Sequence, residues 1–335
     1  MHEPIPAPAP AAAIAPSVAR RPRRLAAFFA AAACLLLAHC VSAPPPREGD
    51  EIVAASRMFH VGTPVVLWHD EGGYDAYQTK KRFKTDEPPD GQVRYRKVRA
   101  DLPTELERSV TARGWKLDEL RSVVHLFVLH FDVAGTSRQC FKILQDVRNL
   151  SVHFLLDTDG TIYQTLDLQE QAHHATYANK ASIGVEIAHP GTYPRPRHPD
   201  MMRWYEQDEV GWRMKFPAFL GETGLRTQGF VPRPARPDIV SGPIHGKEQW
   251  QFDFTEQQYR ALAKLCAALH RVFPRIQLDA PRGADGAVLT TNLPEEQLMQ
   301  FDGIVGHFHV QKNKTDPGPA FQWERVLREA RELSR

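Results

Sequence analysis

Charge of one sign is what this 335-residue chain lacks most plainly: 42 Lys and Arg stand against 40 Asp and Glu, a formal net charge of +2. That balance gives no support to nucleic-acid binding, which needs a concentrated basic surface. Long apolar runs are scarce too. The run LAAFFAAAACLLLA at residues 25–38 falls short of the roughly 20 residues that a stable membrane-spanning helix requires. Cysteine is sparse, with 4 in all. Cys34 and Cys40 lie in or beside that apolar run, which leaves Cys140 and Cys266 for the folded part. An exported protein permits a bridge between them, and two buried free thiols fit their apolar helical stripes equally well. No internal repeat is visible.

What is present begins with an export signal. Arg20, Arg21, Arg23 and Arg24 precede the apolar run, the order of a signal peptide over residues 1–40. Two exits are readable: VSA at 41–43, a small-x-small cleavage site, and LAHC ending at Cys40, which resembles a lipoprotein box with His39 where a small residue is usual. The chain is therefore expected in the periplasm, either free or held at the outer membrane through a lipid on Cys40, its sole membrane contact. The Pro-rich stretch at 41–50 suits a stiff tether.

Residues 51–115 read as an N-terminal extension that packs on a main domain at 116–335. That domain opens with SVVHLFVLHF (122–131), apolar and β-branched, a strand. A helix capped by Thr136 or Ser137 follows, with Cys140, Ile143, Leu144 and Val147 on its buried stripe. SVHFLLD and TIYQTLD flank the turn TDG as a hairpin, and SIGVEIAH is another buried strand. Residues 190–250, rich in Pro, Arg, Trp and Gly, lack periodicity and read as an insertion over one rim. Regularity returns with the Thr255/Gln258 capping box, the buried face Tyr259, Leu262, Leu265, Cys266 and Leu269, the stop at Pro274, and the strand FDGIVGH. A last helix from about Ala320 is expected to bury Trp323, Val326, Leu327 and Ala330. The order predicts an α/β fold, a central mixed β-sheet flanked by helices.

If these strands lie side by side, His130 at the end of the first, His307 at the end of the last and Asp316 in the loop beyond can converge. Two imidazoles and a carboxylate are the ligand set of a hydrolytic zinc site with a fourth position for water. With 15 His in the chain, this alone is a weak signal.

Four ordered motifs sharpen it: LHFDVAGTS, VHFLLDTDGTIYQTLDLQEQAHHA, ANKASIGVEI and GHFHVQKNKTDPGPAFQW. Together they resemble the zinc-dependent N-acetylmuramoyl-L-alanine amidases of the type-2 family, relatives of the peptidoglycan-recognition proteins, over roughly residues 120–330 apart from the insertion. The resemblance implies a type-2 amidase fold, one zinc ion held by His130, His307 and Asp316, and peptidoglycan or muropeptides as partner. His309 stands where an acidic residue is common, a rival ligand to His307. Glu186 matches the catalytic glutamate and Lys314 the lysine that stabilises the oxyanion. Some relatives carry a Tyr where Val152 stands here, so acid/base work falls on Glu186. His174 matches the His of a WHAG-like segment and is expected to line the substrate groove. Asn179 stands open between substrate contact and turn cap, while His125 and His153 read as structural. The implied reaction is hydrolysis of the amide between N-acetylmuramic acid and L-alanine of the stem peptide. A non-catalytic peptidoglycan-binding module and a zinc amidase for another acyl-peptide are the alternatives.

Overall fold

The computed structural model describes residues 49–83, 88 and 90–335. The expected signal peptide, Cys40 and the expected tether up to residue 48 lie outside the described residues. Among the described residues no helix is long and apolar enough to cross a membrane.

Six strands make the central sheet: β1 (Val65–Leu67), β2 (Leu126–Phe131), β3 (Phe154–Leu156), β4 (Ile162–Gln164), β5 (Ser182–Ile187) and β6 (Gly303–Gly306). Their spatial order is β6-β2-β5-β3-β4-β1. All neighbours run parallel except β3 and β4, which form the antiparallel hairpin around TDG, so the sheet is mixed as expected. Residues 51–115 do more than pack on this body. They supply β1 to its edge, and the described residues belong to one compact unit.

Alternation along the strands assigns the two faces. Phe127, Leu129 and Phe131 of β2, with Ile183, Val185 and Ile187 of β5, enter the large core covered by two helices. One helix is Glu256–Val272, with both bonds of the Thr255/Gln258 capping box formed, and the other is Trp323–Leu333, where Trp323 is only partly buried. The opposite face carries two separate apolar patches. Leu155 joins Cys140, Phe141 and Leu144 beneath the helix Ser137–Lys142, and Leu126, Val128 and Val305 join Ala178, Leu298 and Val310. Cys140 and Cys266 thus belong to cores on opposite faces of the sheet, and both are free thiols.

The helix after Thr136 departs from expectation. Thr136 caps it by accepting from the Gln139 amide, but from Ile143 to Arg148 the chain winds as a π-helix. The wider turn rotates Val147 off the expected stripe, leaving it 68% exposed. The segment 190–250 contains more order than its composition suggests. Two hairpins, Tyr205–Gln207 with Trp212–Met214 and Val240–Ile244 with Lys247–Gln251, frame a small core that includes Met201, Trp204 and Tyr205.

Candidate metal and catalytic site

The site lies on the second face, where the two apolar patches part. β2 and β5 pair in parallel with His130 directly beside Glu186, so both side chains leave the sheet on the same face. Gly184 stands two residues before Glu186 on that face, and its missing side chain is used. A Cβ there would meet the His174 ring at 2.5 Å.

His307 reaches the site differently from the expectation that it ends a strand. β6 stops at Gly306, and His307 opens a short helical turn, His307–Val310. That turn separates the two rival histidines. His309 is rotated away, with Nδ1 accepting from the Gly306 amide at 2.9 Å and Nε2 donating to the Leu289 carbonyl at 2.7 Å. Both ring nitrogens are occupied, which removes it as a competitor for His307. Asp316 comes from the loop beyond.

His130 Nδ1, His307 Nδ1 and Asp316 Oδ2 form a nearly equilateral triangle with sides of 2.9, 3.1 and 2.9 Å. All three residues are buried. The far nitrogens are engaged as well: His307 Nε2 lies 2.8 Å from Gln311 Oε1, and His130 Nε2 lies 2.9 Å from His174 Nδ1. An amide oxygen only accepts, so His307 carries its proton on Nε2 and turns a bare Nδ1 lone pair inward. Two imidazole nitrogens and a carboxylate oxygen converging at such range form a group that could hold a cation. His130, His307 and Asp316 would hold such an ion, and two imidazoles with one carboxylate are a donor set that zinc accepts while keeping a position for water. The donor set fits the metal.

The electrostatics agree. Burial holds His130 low, at about 4, and the Lys314 charge pushes the same way, so the ring is neutral, the form that can bind a metal. For Asp316 burial opposes ionisation, but His307 and His130 outweigh it and keep the carboxyl below the usual range. Glu186 behaves in the opposite sense: burial, then the negative charges of Asp316 and Asp132, raise it well above an ordinary glutamate, while Lys314 works against the rise. Its Oε2 is shielded and has no hydrogen-bond partner. An unpaired carboxylate oxygen on the groove face is what a proton acceptor for a bound water requires. Lys314 is partly buried on the Asp316 loop, and its positive charge is felt by both His130 and Glu186.

His174 is brought to the cluster, but from behind. Its Nδ1 meets His130 Nε2, and its Nε2 lies 3.3 Å from Ser182 Oγ, giving a chain His130–His174–Ser182 that holds the ligand ring. Asn179 Oδ1 accepts from the amides of His174 and Ala175 at 3.1 and 2.6 Å, the turn-cap alternative. His153 and His125 are structural: His153 spans Glu170 and Gly184 of the sheet region, and His125 Nδ1 donates to the Phe301 carbonyl. Sequence reasoning missed Ser182 and Gln311. Gln311 lies four residues after His307, a spacing that would have pointed to it had the helical turn been anticipated.

No curated protein matches the chain. Among solved structures, the amidase AmiD from E. coli, in complex with anhydro-N-acetylmuramic acid-L-Ala-D-gamma-Glu-L-Lys, is 15% identical, covering 62% of this chain and 57% of that one, with a TM-score of 0.35. The hydrolase AmiA of Staphylococcus aureus, solved with its ligand, is 12% identical over 70% of this chain and 94% of that one, with a TM-score of 0.34. Similarity at this level leaves the assignment to the sequence itself. Residues 120–319, more than half of the chain, match the family model described as N-acetylmuramoyl-L-alanine amidase, and the chain belongs to that family.

Proposed function

We propose that the protein is an exported, zinc-dependent N-acetylmuramoyl-L-alanine amidase that cleaves the amide between the lactyl group of N-acetylmuramic acid and L-alanine of the stem peptide. The observation that carries this reading is the triangle of His130, His307 and Asp316 beside the unpartnered Glu186 carboxylate. Zinc held by those three residues supplies Lewis acidity toward a water and toward the scissile carbonyl. Glu186, with its raised affinity for a proton, takes one from the attacking water and delivers it to the departing alanine nitrogen. The Lys314 ammonium offsets the negative charge that grows on the carbonyl oxygen. His174 keeps the His130 ring turned so that Nδ1 faces the cluster. An export signal at residues 1–40, with or without a lipid at Cys40, delivers the enzyme to the envelope where this substrate lies.

Purified full-length protein is expected to bind one zinc and to release intact stem peptides from cell wall, identified by mass. Glu186→Gln retains the metal and loses about 10²–10⁴-fold in cleavage. Asp316→Ala loses zinc. Undiminished cleavage by Glu186→Gln removes that residue from the mechanism, and muropeptide binding without cleavage by the zinc-loaded wild type turns the reading into that of a recognition module.

A further inference from the structure

The cluster draws Asp316 and Lys314 from a stretch without regular structure, residues 311–322, between the helical turn His307–Val310 and the last helix. A loop of this kind holds itself weakly. Its own backbone bonds around Asp316 include Lys314 N–H to the Gln311 carbonyl and Phe308 N–H to the Asp316 carbonyl. Tyr259 and Asp253 hold its far end at Ala320 and Gln322, and the stretch next to Asp316 is restrained by the insertion, through its second hairpin and the strand-like segment at Tyr193 that bridges to Trp250.

Gln251, at the end of that hairpin, is fully buried. Its Nε2 donates to the Pro317 carbonyl at 3.0 Å and its Oε1 accepts from the Ala320 amide at 3.0 Å, so one side chain spans the turn that follows Asp316. Gly318, in the left-handed region at φ 88°, lies against this amide, and a Cβ there would collide with Gln251. On the other side of Asp316, His245 Nε2 donates to the Lys314 carbonyl at 3.0 Å, and Thr192 Oγ1 lies 3.0 Å from Thr315 Oγ1. The insertion therefore grips the loop immediately before and immediately after the carboxylate.

We propose that the insertion is a clamp that presets the metal-binding loop, with Gln251 as its main positioning residue and His245 and Thr192 as secondary ones. Presetting removes the cost of ordering the loop when the cation arrives, and it holds the Asp316 carboxylate in register with the two imidazoles. The clamp rests on the zinc reading above, and its test separates the two.

The test uses the full chain and the metal alone. Zinc affinity is measured by competition with a chelator, and the visible absorption of the cobalt-substituted protein reports ligand geometry independently of global stability. Gln251→Leu is expected to weaken zinc binding about 10–100-fold and to change the cobalt spectrum, with its secondary structure intact by circular dichroism. A second variant, Thr192→Val with His245→Phe, leaves the buried amide in place and is expected to shift both readouts less, in the same direction. It also keeps the proposal falsifiable if Gln251→Leu fails to fold. Wild-type zinc affinity and an unchanged cobalt spectrum in the folded variants overturn the clamp while leaving the zinc site standing. Failure of the wild type itself to bind zinc overturns the zinc reading and the clamp with it.

Discussion

Two segments, residues 51–115 and the insertion at 190–250, secure the same site by unlike means. Residues 51–115 send in a charge. Arg99, 1% exposed, donates to five carbonyl oxygens, those of Leu168, Glu170, Asn179, Lys180 and Ser182, and so ties down both sides of the loop that carries His174. The insertion sends in a neutral amide, Gln251, which meets one carbonyl and one N–H of the loop that carries Asp316. A guanidinium suits a concave array of carbonyls because it offers five donors and no acceptor. An amide suits a turn that presents one group of each kind. The charged brace is costly to bury: desolvation lowers Arg99 to about 9, with Glu170 and Asp167 acting in the other direction. Removing it leaves more groups unsatisfied than removing the amide does.

The largest expected effect breaks the charged brace. Arg99→Met should destabilise the protein by about 3–5 kcal/mol, because five carbonyls, three of them in buried bonds, lose their donor together. Urea denaturation measures it, and a cost below about 1 kcal/mol would show that the His174 loop stands without the N-terminal segment.

A smaller effect sharpens what that brace is for. His174→Phe keeps an aromatic ring against Gly184 but cannot bond to His130, and it is expected to weaken zinc binding about 10–100-fold, about 1.4–2.8 kcal/mol, with little change in melting temperature. Chelator competition reads the first and thermal melting the second. A large fall in melting temperature with zinc affinity intact would reverse the assignment.

A third effect is graded with acid, and it divides the two regions. His153 lies on the N-terminal side, between the Glu170 carbonyl and the Gly184 amide, and His189 on the insertion side, between the Phe252 carbonyl and the Gly191 amide. Burial lowers each from 6.5 to about 3. The unfolded chain therefore takes up protons below about 6.5 that the folded chain refuses until about 3. Stability is complete above 6.5 and drains as pH falls, by about 1.4 kcal/mol per histidine for each pH unit. Melting temperature followed from pH 7 to 4 should fall for the wild type and fall less steeply for His189→Gln. Parallel curves would mean that His189 is not held neutral.

Much of this architecture is legible in the amino-acid order, for identifiable reasons. β2 and β5 are six-residue strands that read as near-continuous apolar runs, as strands covered on both faces do, and the helix Glu256–Val272 announces itself by a capping box and a continuous apolar face. The triangle is reachable from its motifs because His130 lies in β2, while His307 and Asp316 share the single motif GHFHVQKNKTDPGPAFQW. What escapes is set by tertiary contact. β1 is only three residues long and gains its place from β4, not from any pattern of its own. Arg99 reads as a surface residue until the carbonyls it serves are gathered from 168–182. The π-wound turn after Lys142 and the helical turn at His307 both defeat a fixed period, the first by exposing Val147 and the second by turning His309 away. The hairpins of the insertion contain Pro243 and Gly242 where alternation would be sought.

The in-register pairing of His130 with Glu186 has one more outcome. Neighbouring strands are spaced about 4.8 Å apart by their own hydrogen bonds, so the gap between the histidine's backbone and the glutamate's belongs to the sheet and not to any loop. Insertions and exchanged loops can remodel the mouth of the groove without stretching that gap. A slip of β5 by a single residue, in contrast, would send Glu186 into the apolar core and present Val185 or Ile187 in its stead.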